Sequence, residues 1–167
     1  GTYTVTVIDT NLCSSNQNIV ISEPSLIENY TVVQLCYGDS ISIGDNTYIS
    51  SGSYTDTLVN VDGCDSIEYT ELTIFNPLST GLIGESQDIC FGSSPLVHEF
   101  ISPVTGADGA YSYLWFESLD GENFDLASQT NNTSNYQPEQ LTQSTYYRVE
   151  VSSDYGCGSV LTNTVKD

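Results

Sequence analysis

The chain has 167 residues, and its 22 acidic side chains face only 2 basic ones, which gives a formal charge of −20 at pH 7. Phosphate backbones, nucleotides and anionic membrane surfaces are bound by clusters of Lys and Arg, so this composition excludes nucleic acid as a partner. The 12 tyrosines and the many Ser and Thr residues favour extended backbone over helix. No stretch is apolar and long enough to cross a bilayer, so we expect no membrane insertion of this segment.

The first predicted element is a β-hairpin at the start of the chain. Tyr3, Val5 and Val7 alternate with threonines, which is the period-two pattern of a half-buried strand. A second extended run covers residues 18–21. Cys13 falls between the two runs and is therefore expected near the turn.

The pattern of this hairpin occurs three times along the chain. In each copy a Tyr begins a strand and a Cys follows ten positions later, and the copies are Tyr3 to Cys13, Tyr54 to Cys64 and Tyr147 to Cys157. Recurrence over tens of residues predicts an array of similar modules. The middle copy has Asp56 where the others have a valine, which leaves the burial of that strand open.

We therefore predict an all-β fold built from tandem small immunoglobulin-like or β-sandwich modules, each with one disulfide. Residues 1–27 are predicted to be the C-terminal hairpin of a truncated repeat, and 28–75 a short Cys-bridged module. Residues 76–167 are predicted to form a sandwich, because a Cys, a Trp and a second Cys follow one another in the order typical of immunoglobulin-like domains. Proline linkers are expected near residues 23–25 and 75–77.

Five cysteines without a C-x-x-C pair favour disulfides in an oxidising compartment over a zinc site or a redox motif. Turn clusters between Cys36 and Cys64 predict a bridge that closes the middle module. The sandwich pattern predicts a second bridge between Cys90 and Cys157. Cys13 is then unpaired in this chain, and we expect its partner upstream of Gly1.

Aromatic residues of the last module are candidates for its core. We expect Trp115 to pack against the Cys90–Cys157 bridge and Tyr147 to lie beside it in the core. The alternative is that Trp115, flanked by Tyr113 and Phe116, is exposed as a platform for a glycan.

No catalytic residue is predicted. His98 has no Ser or Cys nucleophile at a recognised spacing, so the chain is not expected to be an enzyme. We predict no cofactor and assign no metal ligand. The acidic turns around Asp62 and Asp120 are interpreted as turns between strands, although the high negative charge is compatible with calcium binding. Arg148 is expected to face outward and to pair with a nearby carboxylate.

Three segments carry a resemblance to proteins of one bacterial phylum. The run 1–7 with Asp9, Asn11 and Cys13 resembles the end of the repeats in SprB-type gliding adhesins of Bacteroidetes, except that Leu12 stands where the pattern usually has Gly. Residues 36–40, 52–54 and 63–67 resemble a short Cys-bridged repeat of large secreted proteins of that phylum. The segments 90–92, 113–115, 146–149 and 156–157 are similar to their immunoglobulin- or PKD-like repeats.

This resemblance implies a type 9 secretion substrate, displayed outside the cell on its surface. It implies a non-catalytic stalk or filament segment in adhesion or gliding motility. The expected partners are neighbouring repeats of the same chain, and surface glycans or other cell-surface proteins. In proteins of this phylum the pattern Asp-Ser/Thr-apolar is O-glycosylated, which makes Ser40, Thr57 and Ser66 candidates for modification.

Two other functions stay open at this point. The chain is a carbohydrate-binding accessory region of a secreted enzyme if Trp115 or a tyrosine cluster lies exposed in a groove. It is a self-polymerising filament subunit if residues 1–21 pair with the sheet of another copy.

Overall fold

The structure is a computed structural model that describes residues 1–22, 26–59 and 65–167. Every regular secondary-structure element in these ranges is a β-strand, which confirms the predicted all-β, sandwich-like fold. Within the same ranges, no helix is long and apolar enough to span a membrane.

The first hairpin pairs β1 (Thr2–Ile8) with β2 (Ser14–Val20) in antiparallel register. Every residue of both strands is exposed to solvent. At its turn, a carboxylate oxygen of Asp9 accepts hydrogen bonds from the backbone N–H groups of Asn11 and Cys13 at 2.8 and 2.9 Å. Leu12 then adopts a φ of 62°, the left-handed conformation that favours glycine.

The middle unit contains β3 to β7. Its strands are β3 (Ile27–Leu35), β4 (Ile41–Ile43), β5 (Asn46–Tyr48), β6 (Gly52–Val59) and β7 (Asp65–Ile74). The order in its main sheet is β3-β7-β6, with β3 parallel and β6 antiparallel to β7. The small β4–β5 hairpin contacts β6 through a stack of Tyr48 on Tyr54, whose ring centroids are 3.8 Å apart.

Asp56 is buried between β6 and this hairpin, with 4% of its surface exposed. One of its carboxylate oxygens accepts hydrogen bonds from Asn46 Nδ2 at 2.6 Å and from the Tyr48 hydroxyl at 2.7 Å. The hydrogen bond to Asp56 raises the pKa of Tyr48 above its usual value. Asp56 is therefore buried like Val149 at the same position of the last copy, whereas Val5 of the first copy is exposed, and polar partners replace apolar packing around Asp56.

The last unit contains β8 to β16. Its strands are β8 (Asn76–Ser79), β9 (Leu82–Ile83), β10 (Phe100–Ser102), β11 (Thr105–Ala107), β12 (Tyr111–Ser118), β13 (Asp125–Leu126), β14 (Tyr146–Ser153), β15 (Ser159–Leu161) and β16 (Val165–Lys166). The large sheet has the order β13-β12-β14-β15, with β16 also on β14. Two small sheets, β9–β10 and β8–β11, complete the unit.

One buried cluster forms the core of the last unit. It consists of Ile83, Trp115, Ala127, Tyr136, Tyr147, Val149, Val151 and Val165. The alternation along β14 places Tyr147, Val149 and Val151 on its inner face. Trp115 donates a hydrogen bond from Nε1 to the Thr133 carbonyl at 2.8 Å, so its polar atom is paired although its side chain is buried.

Candidate functional site

A disulfide joins the middle unit to the last unit. It links Cys36, which follows β3, to Cys157, which lies in the turn between β14 and β15. The two Cα atoms are 5.3 Å apart, whereas the residues are separated by 121 positions in the sequence. The bridge therefore closes a loop that contains most of both units.

The predicted cysteine pairing is wrong. Cys36 and Cys157 were expected to bond to Cys64 and Cys90, but they bond to each other. Cys90 is exposed with a free thiol, and Cys64 lies outside the described residues.

The distance along β14 explains why Cys90 and Cys157 do not pair. Cys90 lies beside residues 141–144 and Asp167, and Asp167 pairs with Thr145 at the start of β14. Cys157 follows the other end of this strand. A strand of 8 residues is about 26 Å long, far more than the ~7 Å of Cα separation that a disulfide permits.

Cys13 is exposed, with a free thiol. Its expected partner upstream of Gly1 stays a prediction.

Two further contacts surround the bridge. The Tyr155 hydroxyl donates a hydrogen bond to the Gln34 carbonyl at 2.9 Å. The Tyr155 ring also meets Phe75 edge to face, with centroids 5.2 Å apart. The junction between the units thus combines a covalent bond with a polar contact and an aromatic contact.

Trp115 and Tyr147 lie in the core of the last unit, with 0% and 1% of their surfaces exposed. Burial raises the pKa of the Tyr147 phenol far above its usual value. Trp115 packs near the rings of Tyr136 and His98 rather than against the expected Cys90–Cys157 bridge. A glycan platform formed by Trp115 is therefore absent from the described surface.

His98 belongs to this core. Its Nε2 lies 2.9 Å from a carboxylate oxygen of Asp167, and both side chains are fully buried. The Tyr147 ring lies 5.1 Å from the imidazole, measured between centroids. These surroundings hold the imidazole as a packed structural group.

The turn at Asp120 uses its own carboxylate. Asp120 accepts hydrogen bonds from the Ser118 hydroxyl and from the backbone N–H groups of Glu122 and Asn123, at 2.8 to 2.9 Å. The hydrogen bond from the Asn123 side chain, followed by those from these donors, holds the pKa of Asp120 well below its ordinary value. Across the described ranges, no group of three or more His, Cys, Asp or Glu residues is placed to hold a metal. The second acidic turn, at Asp62, lies outside these ranges.

No carboxylate of the described residues forms the expected ion pair with Arg148. Its guanidinium carbon lies 3.8 Å from the centroid of the Phe124 ring, a cation–π contact on the outer side of the large sheet. Within the described residues, the carboxylate contact of a basic side chain is the one between His98 and Asp167. The alternation of the strand predicted the outward direction of Arg148 but did not show that the Phe124 ring lies beside it.

The three candidate glycosylation sites differ in exposure. Ser40 and Thr57 are exposed, whereas Ser66 is half-buried and donates a hydrogen bond to the Leu58 carbonyl at 3.2 Å. Ser40 and Thr57 are thus the accessible hydroxyls of the set.

A family model described as a domain of unknown function, DUF8696, matches residues 79–166, which is more than half of the chain. The chain belongs to the DUF8696 family. The DUF8696 match begins at the last residue of β8 and ends in β16, so it contains Cys157 but not Cys36. The disulfide therefore connects the DUF8696 domain to the β unit that precedes it. A comparison with curated proteins finds no match.

Proposed function

We propose that the chain is a non-catalytic, tension-bearing segment of a large protein on the outer surface of a bacterial cell, in a stalk or filament used for adhesion or gliding. The observation that carries this proposal is the bridge between Cys36 and Cys157. Tension applied along the chain enters at Cys36, crosses the bridge and leaves at Cys157. Residues 37–156 are then outside the path of the force.

The bridge keeps a long stretch of backbone from extending under force. At the extended length of a residue, residues 37–156 correspond to about 400 Å of backbone. By the chain-entropy argument, a loop of this size stabilises the folded state by about 5 kcal/mol. A segment that must keep its length under load benefits from both effects.

Charge and resemblance support the same role. A formal charge of −20 keeps neighbouring copies apart in a dense surface layer. The sequence resemblance of the first hairpin to SprB-type repeats supports a host protein outside the cell, where thiols oxidise. O-glycosylation at Ser40 and Thr57 is part of this proposal, and the intact mass of the native protein measures it.

Single-molecule stretching tests the mechanical part. With handles at residues 1 and 167, we expect the oxidised chain to release about 400 Å less length than the reduced chain or the C36S/C157S variant. The C13S/C90S variant, which removes the two free thiols found among the described residues, serves as the control and should behave as the parent chain. Equal release from the oxidised chain and the C36S/C157S variant would contradict the proposal.

The location has its own test. An antibody raised against residues 76–167 should label intact cells of the source organism, with the label extending from the cell surface. Labelling that requires permeabilised cells would reject the extracellular role.

A self-polymerising subunit is the second candidate, because the first hairpin exposes apolar side chains on one face. Tyr3, Val5 and Ile19 are each 45 to 59% exposed and share that face. Sedimentation over a hundredfold range of concentration, with and without residues 1–22, tests it. A sedimentation coefficient that does not change with concentration in the intact chain argues against polymerisation.

A further inference from the structure

The described residues leave the β3 edge of the middle unit's main sheet, and one face of that sheet, uncovered. The β4–β5 hairpin lies on one side of the sheet only. On the other side, Tyr30 and Val32 of β3 are 75% and 77% exposed. The side chains of Thr55 and Glu71, on the neighbouring strands, are also exposed on this side.

The backbone hydrogen bonds show which groups of β3 are free. Leu35 accepts from Phe75 N, so it belongs to the alternate residues of β3 that bond to β7. Gln34 belongs to the other set, because its carbonyl points to Tyr155 on the opposite side. By the same alternation, the N–H and C=O groups of Glu28, Tyr30 and Val32 point away from the sheet, and no backbone partner for them occurs among the described residues.

The side chains next to this edge attract a positive charge. Tyr30 stacks on Tyr69 with ring centroids 4.6 Å apart and an interplanar angle of 11°. Tyr69 lies on β7, so the second face of the Tyr30 ring is turned toward the open edge. Glu28 lies on the same face as these rings and accepts a hydrogen bond from the Tyr69 hydroxyl. An aromatic ring face beside a carboxylate is a favourable site for a Lys or Arg side chain.

Both Lys and Arg side chains of the sequence lie in the last unit, away from this site. Arg148 covers Phe124, and Lys166 lies 5.7 Å from the Tyr146 ring in the last unit. A second copy carries the same charge of −20, so copies repel each other. Charge complementarity therefore favours a basic partner over a second copy.

We infer that the open edge of β3, with the exposed face around Tyr30 and Tyr69, is a docking site for an extended, cationic segment of another protein. The segment adds as a strand beside Glu28 to Val32, and its Lys or Arg side chains cover Tyr30 and pair with Glu28 and Glu71. Tyr155 limits the site at Gln34, because its hydroxyl occupies that carbonyl. This site is independent of the role under tension proposed above.

The probe is a labelled nonapeptide of alternating Lys and Val, and its fluorescence anisotropy is followed at 150 mM salt. We expect Val32→Lys to weaken binding by about tenfold or more, because it places a like charge on the edge. Val32→Pro should weaken binding by about tenfold through the loss of an edge N–H. That N–H points away from β7, so proline is tolerated at this position.

Two controls separate docking from general attraction to an acidic protein. The E28Q/E71Q variant should bind the peptide about tenfold more weakly, whereas E85Q/D88N, which removes the same charge from exposed positions of the last unit, should change binding less than twofold. The same peptide with alternate backbone amides methylated keeps its charge but cannot pair as a strand.

Two results would overturn the inference. The first is evidence of attraction to charge alone. This would be binding of the methylated peptide as tight as that of the unmodified peptide, or equal weakening of binding in E28Q/E71Q and E85Q/D88N. The other is concentration-dependent self-association of the peptide-free chain that Val32→Lys abolishes, since this assigns the edge to a second copy.

Discussion

The middle unit and the last unit bury different kinds of side chain. In the last unit the buried cluster is aromatic and aliphatic, with Trp115 and Tyr147 at its centre. Among the described residues of the middle unit the buried side chains are Leu72, Thr70 and Asp56, so two of them are polar. Small sheets with so little apolar burial rarely fold alone. We therefore expect the stability of the middle unit to depend on its connections, whereas that of the last unit depends on its core.

Removing the bridge should separate the two units most clearly. We expect the C36S/C157S variant to lose up to about 5 kcal/mol, with the loss concentrated in the middle unit. Fluorescence of the single tryptophan reports the last unit, and hydrogen exchange at β7 amides reports the middle one. The C13S/C90S variant is the matched control. Unchanged exchange at β7 in the C36S/C157S variant would refute the dependence.

Truncating the two cores should give unequal losses. Trp115→Ala should lower the free energy of unfolding of the last unit by about 3–5 kcal/mol, and Leu72→Ala that of the middle unit by about 2 kcal/mol. Urea unfolding followed by circular dichroism measures both. Phe91→Ala, at a side chain that is 83% exposed, should cost less than about 0.5 kcal/mol. If Leu72→Ala lowered the free energy of unfolding more than Trp115→Ala does, the middle unit would be the one that depends more on its core.

Alkaline pH should weaken the last unit through Tyr147. Burial raises the folded-state pKa of this phenol, so its stabilising effect is present below pH 10 and is lost as pH rises toward the folded pKa. Above pH 10 the free energy of unfolding should fall by about 1.4 kcal/mol per pH unit for each such tyrosine. Unfolding series between pH 8 and 11 test this. Tyr147→Phe should flatten the slope, and an unchanged slope would assign it to other groups.

The smallest expected effect lies outside both units, in the first hairpin. Leu12→Gly should stabilise the hairpin by about 1 kcal/mol, because glycine adopts the left-handed conformation without strain. Thr10→Gly, in the same turn, should instead destabilise it by about 0.5 to 1 kcal/mol. Amide exchange of β1 measures the two changes, and the same sign for both would contradict this account of the turn.

Local patterns predicted the strands but not the contacts between them. Alternation along residues 147–151 is visible in the sequence because it follows from the geometry of one strand. The pairing of Cys36 with Cys157 depends on which ends of β3 and β14 meet, and no local pattern encodes that. The burial of Asp56 also depends on Asn46 and Tyr48, which donate hydrogen bonds to its carboxylate and lie 8 to 10 residues away along the chain. The stack of Tyr30 on Tyr69 was missed because parallel pairing of β3 with β7 leaves no turn signal between the two strands.

The connectivity of the disulfide has a consequence for biosynthesis. A chain that emerges with its N-terminus first presents Cys64 and Cys90 to Cys36 well before Cys157 is made. The native bond is thus the last that Cys36 has the chance to form, and any earlier pairing must be undone by thiol exchange. Correct maturation then requires that oxidation be postponed until the chain is complete, or that an isomerase work on it afterwards.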